Sequence, residues 1–221
     1  MSPRPKVLFV VTSHDKLGAH PYEVLAPHVD IIWASPKGGE SPLDPMSAQV
    51  ADDDLVTKKF LTRDEKTWKI TEKLEMFLGR AEEFAAVFYV GGWGPMFDLA
   101  TDPISHKLIN EFYNANKIIS SVCHGPAALA KVKLPSGKYF LHGEPVTGYS
   151  NVEEEMAGVR GIMPFSLETQ LDEASGGNYS KGEKPYDVHV VVGRGGKLIN
   201  GQNPPSAGPT GQAILDEILK G

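Results

Sequence analysis

Lys117-Ile118-Ile119-Ser120-Ser121-Val122-Cys123-His124-Gly125-Pro126-Ala127-Ala128-Leu129-Ala130 is the stretch on which the fold turns. Its first half is a short apolar run with the look of a buried strand, and its second half pairs a proline suited to a first helical turn with good helix formers. One sharp turn between them lifts Cys123, the chain's single cysteine, above the edge of a sheet. Backbone N–H groups at a following helix start favour a thiolate there and can receive a developing oxyanion. The turn is a cysteine counterpart of the strained strand-to-helix turn of serine hydrolases, although only Gly125 matches that glycine pattern. The plainer alternative is an inert buried cysteine at a strand end, because free cysteine is among the most buried residue types.

Working outward, strands and helices alternate. Lys6 to Thr12 is a continuous apolar run of the kind found in central parallel strands, and Val29 to Ser35 is a second strand. Tyr22 to Pro27 leaves room for only about two helical turns between them, a cramped crossover. Pro36 to Asp54 is rich in Pro, Gly and Asp and reads as a surface loop. Trp68, Ile70, Leu74, Phe77 and Leu78 predict a helix over Thr67 to Arg80, followed by a strand at Ala86 to Val90. Asp102-Pro103 is a cap followed by proline, with Ile104, Leu108, Ile109, Phe112 and Tyr113 as the apolar stripe. Val146 to Ser150 reads as a strand ending in a cap, and Asn151 to Met156 as the first turn of a helix. Asp187 to Val192 and Lys197 to Gly201 flank Gly193-Arg194-Gly195-Gly196 as a hairpin, and Ala213 to Lys220 closes the chain as a helix. The expected fold is α/β, a doubly wound and mostly parallel sheet with one antiparallel hairpin, in a single domain over residues 1–221.

Composition narrows the function. The 221 residues carry a net charge of −6, with 41% hydrophobic and 23% charged residues and no dense Lys/Arg stripe, so nucleic acid is an unfavoured partner. No apolar run reaches membrane-spanning length. A single cysteine rules out an internal disulfide and fits a reducing compartment, so the expected location is cytoplasmic, with the nucleus as the alternative. His14, His20, His28, His106, His142 and His189 are scattered, without metal-ligand spacing. No phosphate-cradling glycine motif follows a strand, so neither a metal nor a cofactor is expected.

Gly91-Gly92-Trp93-Gly94-Pro95 follows the third strand. Ligands of such sheets bind beyond the carboxyl ends of the strands, which puts this loop and the Cys123 turn in one crevice. Gly92 there either lets backbone N–H groups approach a reacting carbonyl or makes a plain tight turn. His124 is the natural proton carrier beside Cys123, or a structural histidine. Glu153-Glu154-Glu155 opens a helix. All three complement its dipole, any one could orient His124, and spacing alone does not choose among them.

Phe88 to Leu99, Val122-Cys123-His124-Gly125-Pro126, Val146 to Glu154 and Gly201-Gln202-Asn203-Pro204 occur in an order that resembles the DJ-1/PfpI superfamily, in particular its small fungal Hsp31-like branch. The resemblance covers nearly the whole chain. It implies a flavodoxin-like domain of the kind also seen in class I glutamine amidotransferases, assembled as a homodimer. The implied activity is that of a glutathione-independent glyoxalase III, or D-lactate dehydratase, acting on a small 2-oxoaldehyde, methylglyoxal. By the same resemblance Cys123 is the nucleophile, His124 the catalytic histidine and Glu154 the acidic member of the triad. Gly92 and Trp93 lie in the segment that donates oxyanion-type N–H groups, although many relatives have histidine in place of Trp93. Some relatives are instead described as stress chaperones or deglycases, and a reactive Cys123 with poor turnover would suit an oxidation sensor or holdase.

The N-terminus departs from the pattern. Relatives carry, between a Thr-Ser-His-Asp run and an Ala-His-Pro-Tyr-Glu run, a segment with a Thr-Gly-Trp-like stretch and a Pro-Glu. Here Leu17-Gly18 runs straight into Ala19-His20-Pro21-Tyr22-Glu23. The skipped segment is the one that holds the relatives' thiol-contacting glutamate, and Glu23 aligns with a different, additional residue. The expectation is a reactive thiol with impaired turnover.

Overall fold

The computed structural model describes residues 3–13, 19–41, 54–62 and 64–220. In chain order it runs through β1 (Lys6–Val10), α1 (Ala19–Leu25), β2 (Asp30–Ser35), β3 (Gly39–Glu40), α2 (Leu55–Thr62), α3 (Glu65–Trp68), β4 (Ile70–Lys73) and β5 (Ala86–Tyr89). It continues with α4 (Pro103–Asn114), β6 (Ile118–Val122), α5 (Ala127–Ala130), α6 (Asn151–Met156), α7 (Leu167–Ser175), β7 (Val190–Gly193), β8 (Leu198–Gly201) and α8 (Ala207–Lys220). The strands form one sheet in the order β3-β4-β2-β1-β5-β6-β8-β7. The pairings from β4 to β8 are parallel, and antiparallel pairs, β3 with β4 and β7 with β8, close the two edges.

Alternation along the central strands sorts their side chains onto two faces. Leu8, Val10, Val87, Tyr89 and Ile119 face one core with Leu108, Ile109 and Phe112 of α4. Val7, Phe9, Ala86, Phe88 and Ile118 face the other with Ile214 and Leu215 of α8. Both faces are covered, so these strands read as unbroken apolar runs. Connections leave β1 in one direction towards β2 and return on its other side to β5. That reversal opens a crevice at the carboxyl ends of β1, β5 and β6.

The caps read from sequence are formed. Asp102 accepts from the N–H groups of Ile104 (2.7 Å) and Ser105 (3.1 Å), ahead of Pro103. Ser150 starts α6 through a reciprocal box with Glu153.

Four expectations are corrected. Thr67 to Arg80 is not a helix: α3 stops at Trp68, β4 follows, and Leu74–Phe77 is a single 3-10 turn. The open edge of β2 recruits Ile70–Lys73 in register with Ala34 and Ser35, and the hydroxyls of Ser35 and Thr71 meet at 2.8 Å. Ile70, read as part of the helical stripe, is 65% exposed. Val146 to Ser150 is extended, but it makes only an isolated bridge to Tyr179 rather than a strand. The final helix begins at Ala207 rather than Ala213, because Gly211 suits its close approach to α1: a Cβ there would lie 3.0 Å from the Pro21 Cα. The antiparallel β7–β8 pair has a second antiparallel partner at the opposite edge, the two-residue β3. Helices α2 and α7 lie outside the elements expected from sequence. The surface loop read over Pro36 to Asp54 includes β3, and its residues 42–53 lie outside the described residues.

Candidate active site

Cys123 stands one residue beyond β6 with φ 61°, in the left-handed region that a non-glycine residue enters only at a cost. Its neighbours impose the conformation. Its N–H donates to the Gly201 carbonyl at the end of β8 (3.0 Å), and its own carbonyl accepts from the Tyr149 N–H (3.0 Å). The Gly125 N–H donates back to the Val122 carbonyl at 2.8 Å, closing the turn ahead of α5. Two glycines make this approach possible. A Cβ on Gly125 would lie 2.4 Å from the Tyr89 carbonyl oxygen, and one on Gly91 would lie 2.7 Å from the Cys123 Cβ. The loop after β5 and the turn after β6 are therefore pressed together, and the half-buried thiol lies at their junction.

The adjacent His124 is fully buried and bridges two groups. Its Nδ1 lies 3.6 Å from the Cys123 Sγ, and its Nε2 lies 3.1 Å from the Glu154 Oε1. Burial disfavours the imidazolium, but hydrogen bonding and charge from Cys123 and Glu154 outweigh it and raise the His124 pKa to about 9. A doubly protonated ring donates from both nitrogens, which matches an acceptor on each side. The Tyr149 ring covers His124, with centroids 4.6 Å apart, and its hydroxyl meets that of Tyr186 at 2.9 Å.

The three consecutive glutamates separate cleanly. Glu154 is 1% exposed and reaches His124, whereas Glu155 faces solvent beside Arg160, with its side chain 73% exposed. Glu153 is buried and turns the other way. Its carboxylate accepts from the Ser150 N–H (2.9 Å) and hydroxyl (2.8 Å), the Tyr186 N–H (2.9 Å), Gln202 (3.0 Å) and Asn203 (2.8 Å). Ser150 follows Tyr149, and Gln202 follows Gly201, so Glu153 ties together the two segments whose backbones hold Cys123.

The sequence-selected residues thus occupy one end of the sheet, with differences in detail. Gly92 (φ 89°) and Trp93, both half-buried, belong to the loop beside Cys123, in which Gly91 is the residue whose lack of a Cβ makes room for Cys123. Glu23 lies on α1, half-exposed and paired with Lys59 at 2.6 Å, so its carboxylate is engaged on the surface. The junction at Gly18 lies outside the described residues. Sequence reasoning assigned no role to Tyr149, Tyr186, Gln202 or Asn203. The only signal was that three of them fall within the Val146 to Glu154 and Gly201 to Pro204 motifs. Among the described residues, no cluster of three or more His, Cys, Asp or Glu is placed to hold a metal ion, and no helix is long and apolar enough to cross a membrane.

Comparison with known proteins supplies the family. A curated Schizosaccharomyces pombe protein, the probable glutathione-independent glyoxalase hsp3104, is 30% identical over 142 residues, covering 62% of this chain and 62% of its own length. The match therefore spans less than two-thirds of that relative. The structure of the Francisella tularensis Rapid Encystment Protein 24 kDa superposes with a TM-score of 0.85 at 33% identity, covering 97% of this chain and 99% of the other. The structure of glyoxalase III from Candida albicans gives a TM-score of 0.80 at 25% identity, covering 96% of each chain. The family model described as DJ-1/PfpI family matches residues 64–207, a span that includes Cys123, His124, Glu154 and both clamped segments. The chain belongs to the DJ-1/PfpI family.

Proposed function

We propose that this chain is a glutathione-independent glyoxalase of the glyoxalase III type, converting methylglyoxal to D-lactate on Cys123, His124 and Glu154. The observation that carries the reading is the buried Glu154–His124–Cys123 relay, with spacings of 3.1 and 3.6 Å. The Candida and fission-yeast relatives named as glyoxalases support it.

In this reading the Cys123 thiolate adds to the aldehyde carbon, and the new alkoxide is stabilised by N–H groups of the Gly92–Trp93 loop and of the cysteine turn. His124, charged at neutral pH and oriented by Glu154, protonates that oxygen to give a hemithioacetal. The proton on the former aldehyde carbon then leaves and one is delivered to the neighbouring carbonyl carbon through an enediol. The first carbon is thereby oxidised to a thioester as its neighbour is reduced to an alcohol. Water cleaves the carbon–sulfur bond, releasing lactate and restoring the thiol, so no external oxidant or reductant is consumed. Residues 1–221 act as one domain, cytoplasmic and paired with a second copy. The N-terminal glutamate segment is skipped, so turnover is slow relative to chains that carry it.

The test is D-lactate formation from methylglyoxal without added thiol. The wild-type chain should produce lactate above the spontaneous rate, and Cys123→Ala should remove that production while leaving the folded state intact. Production that survives Cys123→Ala, or a wild-type chain indistinguishable from buffer, would overturn the proposal. In the second case, suppression of aggregation of a heat-denatured client would support the oxidation-sensing holdase reading.

A further inference from the structure

A cleft of about 650 Å³ opens at the end of the sheet opposite Cys123, in the size range of small-molecule sites. Lys117 and Lys197 precede β6 and β8, at the foot of two adjacent parallel strands, and the Ile119 N–H donates to the Lys197 carbonyl at 2.9 Å. About 20 Å of extended chain separates Lys117 from Cys123. The cleft is therefore distinct from the candidate active site.

Its charge runs against that of the molecule. The chain carries −6, yet Lys117, Lys138, Arg194 and Lys197 line this cleft with Glu144 as the single carboxylate. Arg194 is committed to the fold. Its guanidinium lies over the rings of Tyr113 (4.6 Å) and Phe140 (4.4 Å), donates to the Phe140 carbonyl at 2.7 Å, and pairs with Glu144 at 3.3 Å. Lys117 reaches Glu82, whose side chain is 79% exposed and therefore screens it weakly. Lys138 and Lys197 form no salt bridge among the described residues, whereas most other cations of the surface do. Two lysines without salt-bridge partners among the described residues, lining one concavity, make a field that favours an anion of about two charges.

Four described non-glycine residues adopt the left-handed conformation: Cys123 and Tyr186 lie at the candidate active site, and Asn116 and Arg194 line this cleft. Asn116 takes it just past the C-terminus of α4, where the Lys117 N–H closes the helix on the Phe112 carbonyl, and Arg194 takes it with Gly195 in the turn joining β7 to β8, so chain turns shape both rims of the cleft. The Asn114 and Asn116 amides add neutral donors, while Leu134 offers apolar surface to a ligand's body.

We propose that this cleft is a second binding site, which takes a small organic phosphate whose dianionic head lies between Lys138 and Lys197. A fully ionised phosphate monoester supplies the two charges and more acceptors than a monocarboxylate. A small apolar body would fill the volume a bare ion leaves empty.

Titration calorimetry with phenyl phosphate as probe, at low salt, tests the assignment, with inorganic phosphate and benzoate as parallel arms. Phenyl phosphate should bind the wild-type chain and the Cys123→Ala chain alike. Binding should weaken on the order of 10-fold or more in Lys138→Gln/Lys197→Gln, and should fall with rising salt. Both lysines lack salt-bridge partners, so that variant should keep the wild-type melting temperature, which is the control for folding. Benzoate binding as tightly as phenyl phosphate would replace the phosphate assignment with a carboxylate one. Equal binding by inorganic phosphate would remove the role of the apolar body. No binding at concentrations on the order of 10 mM, or binding untouched by the double variant, would overturn the site.

Discussion

Glu153 holds a buried negative charge for which the described residues supply only neutral hydrogen-bond donors. Burial opposes its ionisation, and the hydrogen bonds from Gln202, Ser150 and Asn203 outweigh burial and bring its pKa below the usual carboxylate value. Its neighbours in sequence meet quite different surroundings, so three conservative substitutions should give three different results. Glu155→Gln, on the solvent face, should leave stability within about 0.5 kcal/mol and turnover unchanged. Glu154→Gln should lower turnover on the order of 100-fold while costing less stability than Glu153→Gln, because it removes the orienting partner of a general acid–base group. In Glu153→Gln an NH₂ group would face donors that now point at oxygen. With two or more buried donors stranded at about 1–3 kcal/mol each, the loss should be at least about 2 kcal/mol, read by urea unfolding. Equal losses of turnover in Glu154→Gln and Glu155→Gln would remove Glu154 from the relay.

The element that the family resemblance sets apart is the first crossover. Between β1 and β2 the described chain has only α1, two turns long, with its single glutamate drawn off to Lys59. Inserting the relatives' Pro-Glu-bearing segment between Gly18 and Ala19 should raise methylglyoxal turnover by at least about 100-fold, the low end for a positioned acid or base. If the unmodified chain already matches the inserted variant, the first crossover does not limit catalysis. Element by element, legibility followed where the deciding forces lay. β1, β2, β5 and β6 were readable because burial on both faces leaves an uninterrupted apolar run, and α4 and α6 because Asp102 and Ser150 cap them locally. β4 was not, since Trp68, Leu74 and Phe77 imitate a helical stripe while the need of β2 for a partner decides the matter from 38 residues away. The nucleophile turn was legible in Cys123-His124-Gly125-Pro126. The clamp around Glu153 was only partly so, because Ser150 caps it locally while its donors at Tyr186, Gln202 and Asn203 come together only through tertiary structure.

For the whole molecule, His124 links the site to stability. Its folded pKa of about 9 exceeds the unfolded value of 6.5. Its contribution is therefore fully present below about pH 6.5 and is lost as pH rises towards 9. The unfolding free energy of the wild-type chain relative to His124→Gln should shrink over that window, by up to about 3 kcal/mol at 1.36 kcal/mol per unit. A gap that is constant or widens with pH would contradict the charged imidazole. Topology adds a second consequence. β6 lies between β5 and β8, and the carbonyl that receives the Cys123 N–H belongs to Gly201, 78 residues further along the chain. A ribosome that has released everything up to β7 has therefore made the cysteine, the histidine and the glutamate, but not the strand that closes the edge beside them. Until that strand emerges, the nascent chain presents an open strand edge next to a thiol without its backbone restraint. The order of synthesis leaves the nucleophile's backbone restraint to be completed long after the nucleophile itself has been made.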